Sequence, residues 1–150
     1  MSTQESLPIL PAGLPRPVPA PDGLDAPYWE ATRRHELVAQ RCRACGRWQW
    51  APEFLCHRCH RFDLEYAEGL GEARIFSWQR VWHPVHPGLA EACPYVVLLV
   101  EFPEADGIRM VGNLVGDPLG EIEIGARAVP VFEDHEDAEL PYTLVQWEPA

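Results

Sequence analysis

The sequence predicts a mainly β protein, in which one short helix and a small cysteine-bearing module precede a five-stranded domain. Three observations predict this order. Prolines crowd the first 27 residues, two Cys-x2-Cys pairs follow within residues 42–59, and only β-type runs occur after Leu64. At 150 residues, 47% of them hydrophobic, the chain can bury a core of its own. We therefore expect a folded protein rather than a disordered one.

The distribution of charge along the chain limits the partners it can take. All 12 basic residues are arginines, and 23 acidic residues bring the net charge to −11. Residues 40–61 hold five of the arginines against one acid, whereas residues 62–150 hold four arginines against 17 acids. A nucleic-acid binder needs a basic surface to neutralise phosphates, so the acidic second half disfavours nucleic acid as a ligand.

The sequence carries the pattern of neither a membrane helix nor a secretory signal. No window approaches the ~18 consecutive apolar residues that a bilayer-spanning helix needs. Residues 1–6 lack the basic and apolar regions of a signal peptide. We therefore predict a cytoplasmic protein that binds no membrane, in which the five cysteines serve as metal ligands or reduced thiols.

Residues 1–25 are predicted to form an extended, proline-rich leader. Seven of the 16 prolines lie within residues 1–27. Each of them removes a backbone donor that a helix or a sheet would use. Two roles stay open for the leader: a disordered tail, or an arm that wraps a partner subunit through apolar anchors. The candidate anchors are Leu7, Ile9, Leu10 and Leu14.

Residues 26–36 are predicted to form the N-terminal helix. Asp25 is a residue type that caps helix starts, and a proline at position 27 is tolerated in a first turn. Tyr28, Trp29 and Ala31 offer an apolar side for packing against the rest of the protein.

Residues 37–66 are predicted to form a metal-binding ribbon. Cys42 and Cys45 form one Cys-x2-Cys pair, Cys56 and Cys59 form a second, and ten residues separate the pairs. Each pair presents two thiolates to one side of a tetrahedral ion, which is typical of structural zinc sites. Four thiolates leave no open coordination position, so we predict a structural Zn²⁺ that performs no hydrolysis. Iron in the same cage is the alternative, and it would make the chain an electron carrier.

Several other side chains have functional groups that could bind a ligand or react, and none is assigned a catalytic role. His57 and His60 adjoin the second pair, but four cysteines already satisfy the ion. Cys93 has no nearby cysteine or base, which favours a reduced thiol. The acidic run 133–139 favours a solvated turn over a calcium site. The weak candidates for ligand contact are Arg43, Arg47, Arg58, Trp82, His83 and His86.

Residues 67–150 are predicted to form a five-stranded barrel. Five is the strand count of an OB fold. In the first strand, strict alternation would place Phe76, Trp78, Arg80 and Trp82 on one face and Ile75, Ser77, Gln79 and Val81 on the other. A proline at position 130 places the fourth strand at an edge or a bulge. The predicted strands are 73–82, 95–102, 108–114, 127–132 and 142–147.

These motifs, taken in order, resemble the zinc-ribbon plus OB-fold proteins first catalogued as a domain of unknown function and later linked to acyl-CoA metabolism. The resemblance covers about residues 26–148. It departs from the family pattern at His60, which stands where a glycine commonly follows the fourth cysteine, so a left-handed backbone is expected there. The matching segments are 28–31, 40–46, 56–59, 83–87, 94–97, 112–115, 124–129 and 131–133.

The resemblance implies a rubredoxin-like zinc ribbon followed by an OB barrel, with the four cysteines as the metal ligands. It implies an accessory subunit in a hetero-oligomer, not catalytic alone, that supports a thiolase-like or lipid-transfer-protein-like aldolase or thiolase acting on acyl-CoA. Cleavage of steroid side chains is one such reaction. A subunit of a hot-dog-fold enoyl-CoA hydratase and a nucleic-acid-binding zinc-ribbon protein stay open as alternatives.

Overall fold

The computed structural model describes residues 7–9, 11–14 and 18–150. Leu10, one of the four predicted anchors of the leader, lies outside these ranges. Two short 3-10 segments, Pro87–Ala92 and Pro103–Ala105, interrupt the connections of the larger sheet. The helix and strands are α1 Ala26–Arg33, β1 Ala39–Cys42, β2 Trp48–Gln49, β3 Leu64–Ala67, β4 Ala73–Val81, β5 Tyr95–Phe102, β6 Ile108–Asn113, β7 Arg127–His135 and β8 Tyr142–Pro149.

The strands form two separate sheets, and the larger one has OB topology. The small sheet has the order β2-β1-β3, and the large sheet has the order β6-β5-β4-β7-β8. A parallel bridge between Leu114 and Trp147 joins the end of β6 to β8 and closes the large sheet into a barrel. The mainly β fold with one helix, a ribbon and a five-stranded OB barrel is therefore confirmed.

Gly112 allows β6 and β8 to approach closely where the barrel closes. A Cβ added at this position would lie 2.6 Å from the carbonyl oxygen of Val145 and 2.7 Å from the indole of Trp147. Trp147 itself is fully buried in the core. Only glycine therefore fits at this contact without displacing backbone atoms.

A β-bulge in β4 overturns the predicted alternation of its faces. β4 and β5 pair in register up to Ile75 and again from Ser77, so Phe76 is the extra residue. Ile75 is buried in the core, whereas Ser77 and Gln79 are exposed. The prediction that Ile75 shares one face with Ser77, Gln79 and Val81 is wrong, because the bulge shifts the alternation by one residue between Ile75 and Ser77.

The fourth barrel strand, β7, has its proline at an edge, as predicted. β7 pairs with β4 only at Arg127 and Ala128, whereas it pairs with β8 along its whole length. Pro130 lies past the short contact with β4, so its missing N–H interrupts no ladder on that side.

α1 packs against both the ribbon and the barrel. The ring of Tyr28 lies 5.2 Å from that of Trp29 and 4.7 Å from that of Trp50, so the apolar side of the helix contacts the ribbon as predicted. Asp25 is the N-cap residue of α1, as predicted, but not through its side chain. Its side chain makes no cap bond and instead accepts a hydrogen bond of 2.8 Å from the indole of Trp29.

The described part of the leader lies on the chain's own barrel. The backbone N–H of Ile9 donates to Glu133 Oε2 at 3.4 Å. Leu14 Cδ2 lies so close to Gly88 that an added Cβ there would be 2.5 Å from it. Neither predicted role, a disordered tail or an arm on a partner, anticipated these contacts. Within the described ranges, no helix has the length and apolar character to span a membrane.

The acidic run 133–139 begins inside a strand rather than in a turn. Glu133 and His135 belong to β7 and are each 3% exposed. His135 Nε2 lies 2.8 Å from Glu133 Oε1, and Gln146 donates to Glu133 Oε2 at 3.0 Å. The prediction of a solvated turn is therefore wrong for residues 133–135, because local composition did not reveal that β7 continues inward.

Candidate metal centre

The four paired cysteines converge at one end of the ribbon. Sγ of Cys42 lies 3.6 Å from Sγ of Cys59, and Sγ of Cys45 lies 3.6 Å from Sγ of Cys56. All four sulfur atoms lie within 4.8 Å of one another. A zinc ion with Zn–S bonds of about 2.3 Å would place tetrahedral sulfurs about 3.8 Å apart. The sulfur cluster therefore fits a tetrahedral zinc ion.

Each Cys-x2-Cys pair closes through the same backbone turn. The N–H of Gly46 donates to the carbonyl of Cys42 at 2.8 Å, and the N–H of His60 donates to the carbonyl of Cys56 at 2.9 Å. Gly46 has φ of 74° and His60 has φ of 60°. The left-handed backbone expected at His60 is confirmed, although this conformation favours glycine.

Backbone N–H groups, burial and the neighbouring thiols shift the pKa values of two of the cysteines in opposite directions in the metal-free site. The N–H of Cys59 lowers the pKa of Cys56 to about 6, burial opposes this effect, and the N–H of Arg58 adds to it. At Cys45 the N–H of Arg47 lowers the pKa, but burial and hydrogen bonds with the other thiols raise it to about 11. Because the thiolate is the ligand, metal binding displaces the proton that Cys45 holds in the metal-free site.

The sulfur cluster is closed toward further ligands. Cys42 and Cys56 are buried and Cys45 is exposed, but four sulfurs complete a tetrahedral shell whatever their exposure. His57 and His60 are exposed and lie outside the four-residue cluster. The site can therefore hold an ion that stabilises the fold, and it offers no position for water or substrate.

Two buried glutamines support the second cysteine pair, and the sequence analysis missed both. Gln40 and Gln49 are paired across β1 and β2, and Gln49 Nε2 donates to Gln40 Oε1 at 2.9 Å. Gln40 Oε1 also accepts from the N–H of Glu53, and Gln49 Oε1 accepts from the N–H of His57. These bonds fix the loop that carries the second pair. The available signal was the position of the two glutamines, one on each side of the first cysteine pair.

Asp106 joins the ribbon to the barrel. It lies in the turn between β5 and β6 with φ of 56°. Its carboxylate accepts a hydrogen bond of 2.9 Å from the backbone N–H of Trp48 and one of 3.2 Å from the side chain of Arg47. Asp106 therefore adds two hydrogen bonds between ribbon and barrel to the apolar contacts that Val38, Ala39 and Trp48 make with the core.

The weak candidates for ligand contact fall into two separate places. Arg43 and Arg47 pair with acidic neighbours, Arg43 with Glu65 at 2.9 Å and Arg47 with Asp106 at 3.2 Å. Arg58 is exposed on the ribbon.

The other three candidates, Trp82, His83 and His86, are exposed in the loop between β4 and β5, and His86 Nδ1 accepts a hydrogen bond from the N–H of Gly88. That loop leads into Tyr95, the first residue of β5, whereas the turn with Asp106, which contacts the ribbon, follows Phe102, the last residue of β5. The two groups therefore lie about 23 Å apart along the strand, and the fold does not bring them together.

The fold and the sulfur cluster define a zinc-ribbon protein with a C-terminal OB barrel. Two family models match in the same order: the ChsH2 rubredoxin-like zinc ribbon domain over residues 29–65, and the ChsH2 C-terminal OB-fold domain over residues 68–133. This chain belongs to the ChsH2 family, also described as DUF35. The resemblance and the zinc ribbon expected from the sequence are thereby confirmed.

Solved structures and one curated protein resemble the chain. A chain of the Ltp2-ChsH2(DUF35) aldolase is 36% identical, with a TM-score of 0.69 over 89% of this chain and 98% of that one. A DUF35 protein of unknown function from Sulfolobus solfataricus is 18% identical, with a TM-score of 0.58 over 86% and 87%, and it supports the fold alone. A probable enoyl-CoA hydratase alpha subunit of Thermomonospora curvata is 40% identical over 135 residues, and the chain spans 40% of its length.

Proposed function

We propose that this chain is a non-catalytic accessory subunit that binds and supports a thiolase-fold, lipid-transfer-protein-like aldolase acting on acyl-CoA thioesters in the cytoplasm. Retro-aldol cleavage of a steroid side-chain thioester is the proposed reaction of the complex. The observation that carries the proposal is the 36% identity to a chain of the Ltp2-ChsH2(DUF35) aldolase, of which this chain covers 98%.

The complete four-thiolate coordination of the metal site supports the role of a non-catalytic subunit. Cys42, Cys45, Cys56 and Cys59 would hold the zinc ion, which would stabilise the ribbon fold when bound. Four thiolates leave the ion no site for a thioester. The proposed role of the ribbon is then to present a binding surface to the partner subunit, in the conformation that the bound metal would stabilise.

The burial of the pair Glu133 and His135 also favours a reaction that takes place on a partner subunit. Glu133 and His135 are buried, and the backbone N–H of the leader residue Ile9 donates to Glu133 Oε2 at 3.4 Å. A carboxylate and an imidazole in contact are a common acid–base pair, but here each is 3% exposed. A bulky CoA thioester has no access to them in this conformation.

Reconstitution tests the proposal. The purified chain would be mixed with the Ltp2 subunit of the similar aldolase and examined by size-exclusion chromatography with light scattering. We expect one stable complex, and we expect the chain alone to leave acyl-CoA aldol substrates unchanged. Turnover by the isolated chain at the rate of the complex contradicts the proposal, as does the absence of a complex at micromolar concentrations.

A second candidate function is that of a subunit in a hot-dog-fold enoyl-CoA hydratase. The 40% identity to the probable enoyl-CoA hydratase alpha subunit favours it. A spectrophotometric hydration assay with an enoyl-CoA separates the two candidates, because a hydratase complex consumes the enoyl thioester and an aldolase complex cleaves the hydroxyacyl thioester.

A nucleic-acid role is not favoured by the barrel surface. OB folds bind oligonucleotides on the face of their second and third strands, which here are β5 and β6. Val97 and Leu99 of β5 and Val111 of β6 lie on the outer side of these strands, and the last is 65% exposed. The one arginine of these two strands, Arg109, already pairs with Glu101 at 2.9 Å and lies over the ring of Phe76, so this face offers no free cation to a phosphate backbone.

A further inference from the structure

The five arginines of residues 40–61 differ sharply in how they are used. Arg41 donates to the carbonyl of Gly46 at 3.2 Å and lies over the ring of Trp48. Arg43 pairs with two acids, and Arg47 pairs with Asp106. Internal contacts therefore occupy three of the five guanidinium groups.

The remaining two arginines, Arg58 and Arg61, lie on the second knuckle, which we define as residues 54–62. Both are exposed, and no ion pair or hydrogen bond of their guanidinium groups occurs within residues 7–9, 11–14 and 18–150. The second knuckle itself holds no acidic residue, although the whole chain carries a net charge of −11 and Glu53 and Asp63 border the knuckle, with Asp63 paired to Arg43 at 3.6 Å. It is therefore a local cationic surface on an acidic protein.

Two exposed aromatic rings flank these arginines. Phe54 is 71% exposed and Phe62 is 80% exposed, the highest exposures among the aromatic side chains described. A hydrogen bond of 2.9 Å from the N–H of Cys56 to the carbonyl of Arg61 closes the knuckle, so its two ends lie side by side. Two phenyl rings and two free guanidinium groups thus share one small surface.

We propose that the second knuckle docks this chain onto an acidic, partly apolar surface of its partner enzyme subunit, with Phe54 and Phe62 as apolar anchors and Arg58 and Arg61 as charged ones. The proposal rests on the proposed accessory function and specifies the surface that performs it. The occupant is a protein because arginine and aromatic side chains dominate the binding energy of protein interfaces.

The zinc site explains why such a small loop can serve as an anchor. The metal and the glutamine pair hold the backbone of the knuckle in one conformation, so little backbone entropy is lost on binding. Charge complementarity also fixes the sign of the partner surface, since an apolar patch bordered by carboxylates attracts this knuckle and a basic patch repels it.

Charge reversal with a matched control tests the docking surface. The test variant is Arg58→Glu with Arg61→Glu, and the control is Arg34→Glu with Arg127→Glu. The control has the same net charge, and its two arginines are both 58% exposed, Arg34 directly after α1 and Arg127 in β7, where they pair with Glu36 and Glu72. Binding of the full chain to the Ltp2 subunit of the similar aldolase is measured by calorimetry, and zinc content is measured for every variant.

We expect the test variant to bind at least about 30-fold more weakly than the wild type with full zinc content, and the control to bind within about threefold of it. Phe62→Ser should weaken binding by at least about tenfold without changing its dependence on salt, because it removes an apolar anchor and no charge.

Each other outcome overturns a different claim. Equal binding by the test variant and the wild type overturns the docking surface and leaves the accessory function standing. Absence of wild-type binding to the Ltp2 subunit overturns the accessory function and the docking surface together. Salt-sensitive binding of a single-stranded oligonucleotide that only the test variant loses assigns the knuckle to nucleic acid and overturns the proposal.

Discussion

The ribbon and the barrel are stabilised by different means. The barrel buries large apolar side chains such as Trp147, Phe102 and Leu98, each at most 2% exposed. In the ribbon, the buried positions include the sulfur ligands Cys42 and Cys56 and a pair of glutamines. The barrel is held by its apolar core, whereas the ribbon adds Val38, Ala39 and Trp48 to that core and depends otherwise on a metal and hydrogen bonds, so loss of the ion should affect the two regions unequally.

Removal of a zinc ligand should break the ribbon and spare the barrel. Cys56→Ser deletes one of four thiolates, and structural zinc contributes on the order of 10 kcal/mol to such modules. We expect loss of bound zinc and fast hydrogen exchange in β1–β3, while β4–β8 stay protected. Cys93→Ser, at a half-buried cysteine outside the cluster, is the control and should keep the ion. Uniform loss of protection in both regions would contradict the comparison.

A substitution at Gly112 should have the opposite distribution of effects. Gly112→Ala places a Cβ 2.6 Å from a backbone carbonyl at the closure of the barrel, so we expect a loss of about 3 kcal/mol in the free energy of unfolding. Zinc content should stay at the wild-type level. Urea unfolding followed by tryptophan fluorescence measures the loss. Gly120→Ala, where the nearest atom to an added Cβ is 3.2 Å away, should be milder.

Substitution of the carboxylate that hydrogen-bonds the barrel to the ribbon should weaken the coupling between the two regions. Asp106→Asn keeps a residue type that tolerates the left-handed turn and removes the charge that Arg47 and the Trp48 N–H contact. We expect a loss of about 1–2 kcal/mol. Thermal unfolding should then show two separate transitions, one chelator-sensitive for the ribbon and one for the barrel. A single shifted transition would show that other contacts couple the regions.

Alkaline pH should loosen the contact between α1 and the ribbon. Burial raises the pKa of Tyr28 to about 12 from its ordinary value of 10.0. Because Tyr28 ionises less readily in the folded state than in the unfolded state, its raised pKa contributes stability that is fully present below pH 10 and is lost as the pH rises toward 12. We expect a loss of about 1 kcal/mol between pH 10 and 11. Denaturant titration at both pH values measures it.

The variant Tyr28→Phe removes the titrating hydroxyl and keeps the ring that contacts Trp50. Its stability should therefore fall less over the same pH interval. An identical loss in the variant would assign the effect to another group, of which Tyr66 is the first to examine because its pKa is also raised to about 12.

Patterns local in the sequence predicted most of the fold and the metal site. Cysteine spacing located the sulfur cluster because a tetrahedral ion needs two thiolates from each turn, and apolar runs located the barrel strands. The bulge at Phe76 escaped prediction because a bulge is set by pairing between strands. The burial of Glu133 and the bond from Trp48 to Asp106 depend on contacts far apart in the chain, which no local pattern encodes.

The surface chemistry was predicted least well. The arginine count of the ribbon was visible in the sequence, but the engagement of three of these side chains and the freedom of Arg58 and Arg61 follow from tertiary contacts. The candidates Trp82, His83 and His86 stay predictions. The fold places them at the far end of β5 from the ribbon.

The central claim is that four sulfurs enclose a chemically inert ion, so that the reactions occur on another subunit. Cobalt substitution tests it most directly, since the absorption of Co²⁺ reports its ligands. We predict a tetrahedral four-thiolate spectrum that stays unchanged when a saturating acyl-CoA thioester is added. A spectral shift on addition of the thioester would reveal an open coordination position and contradict the account.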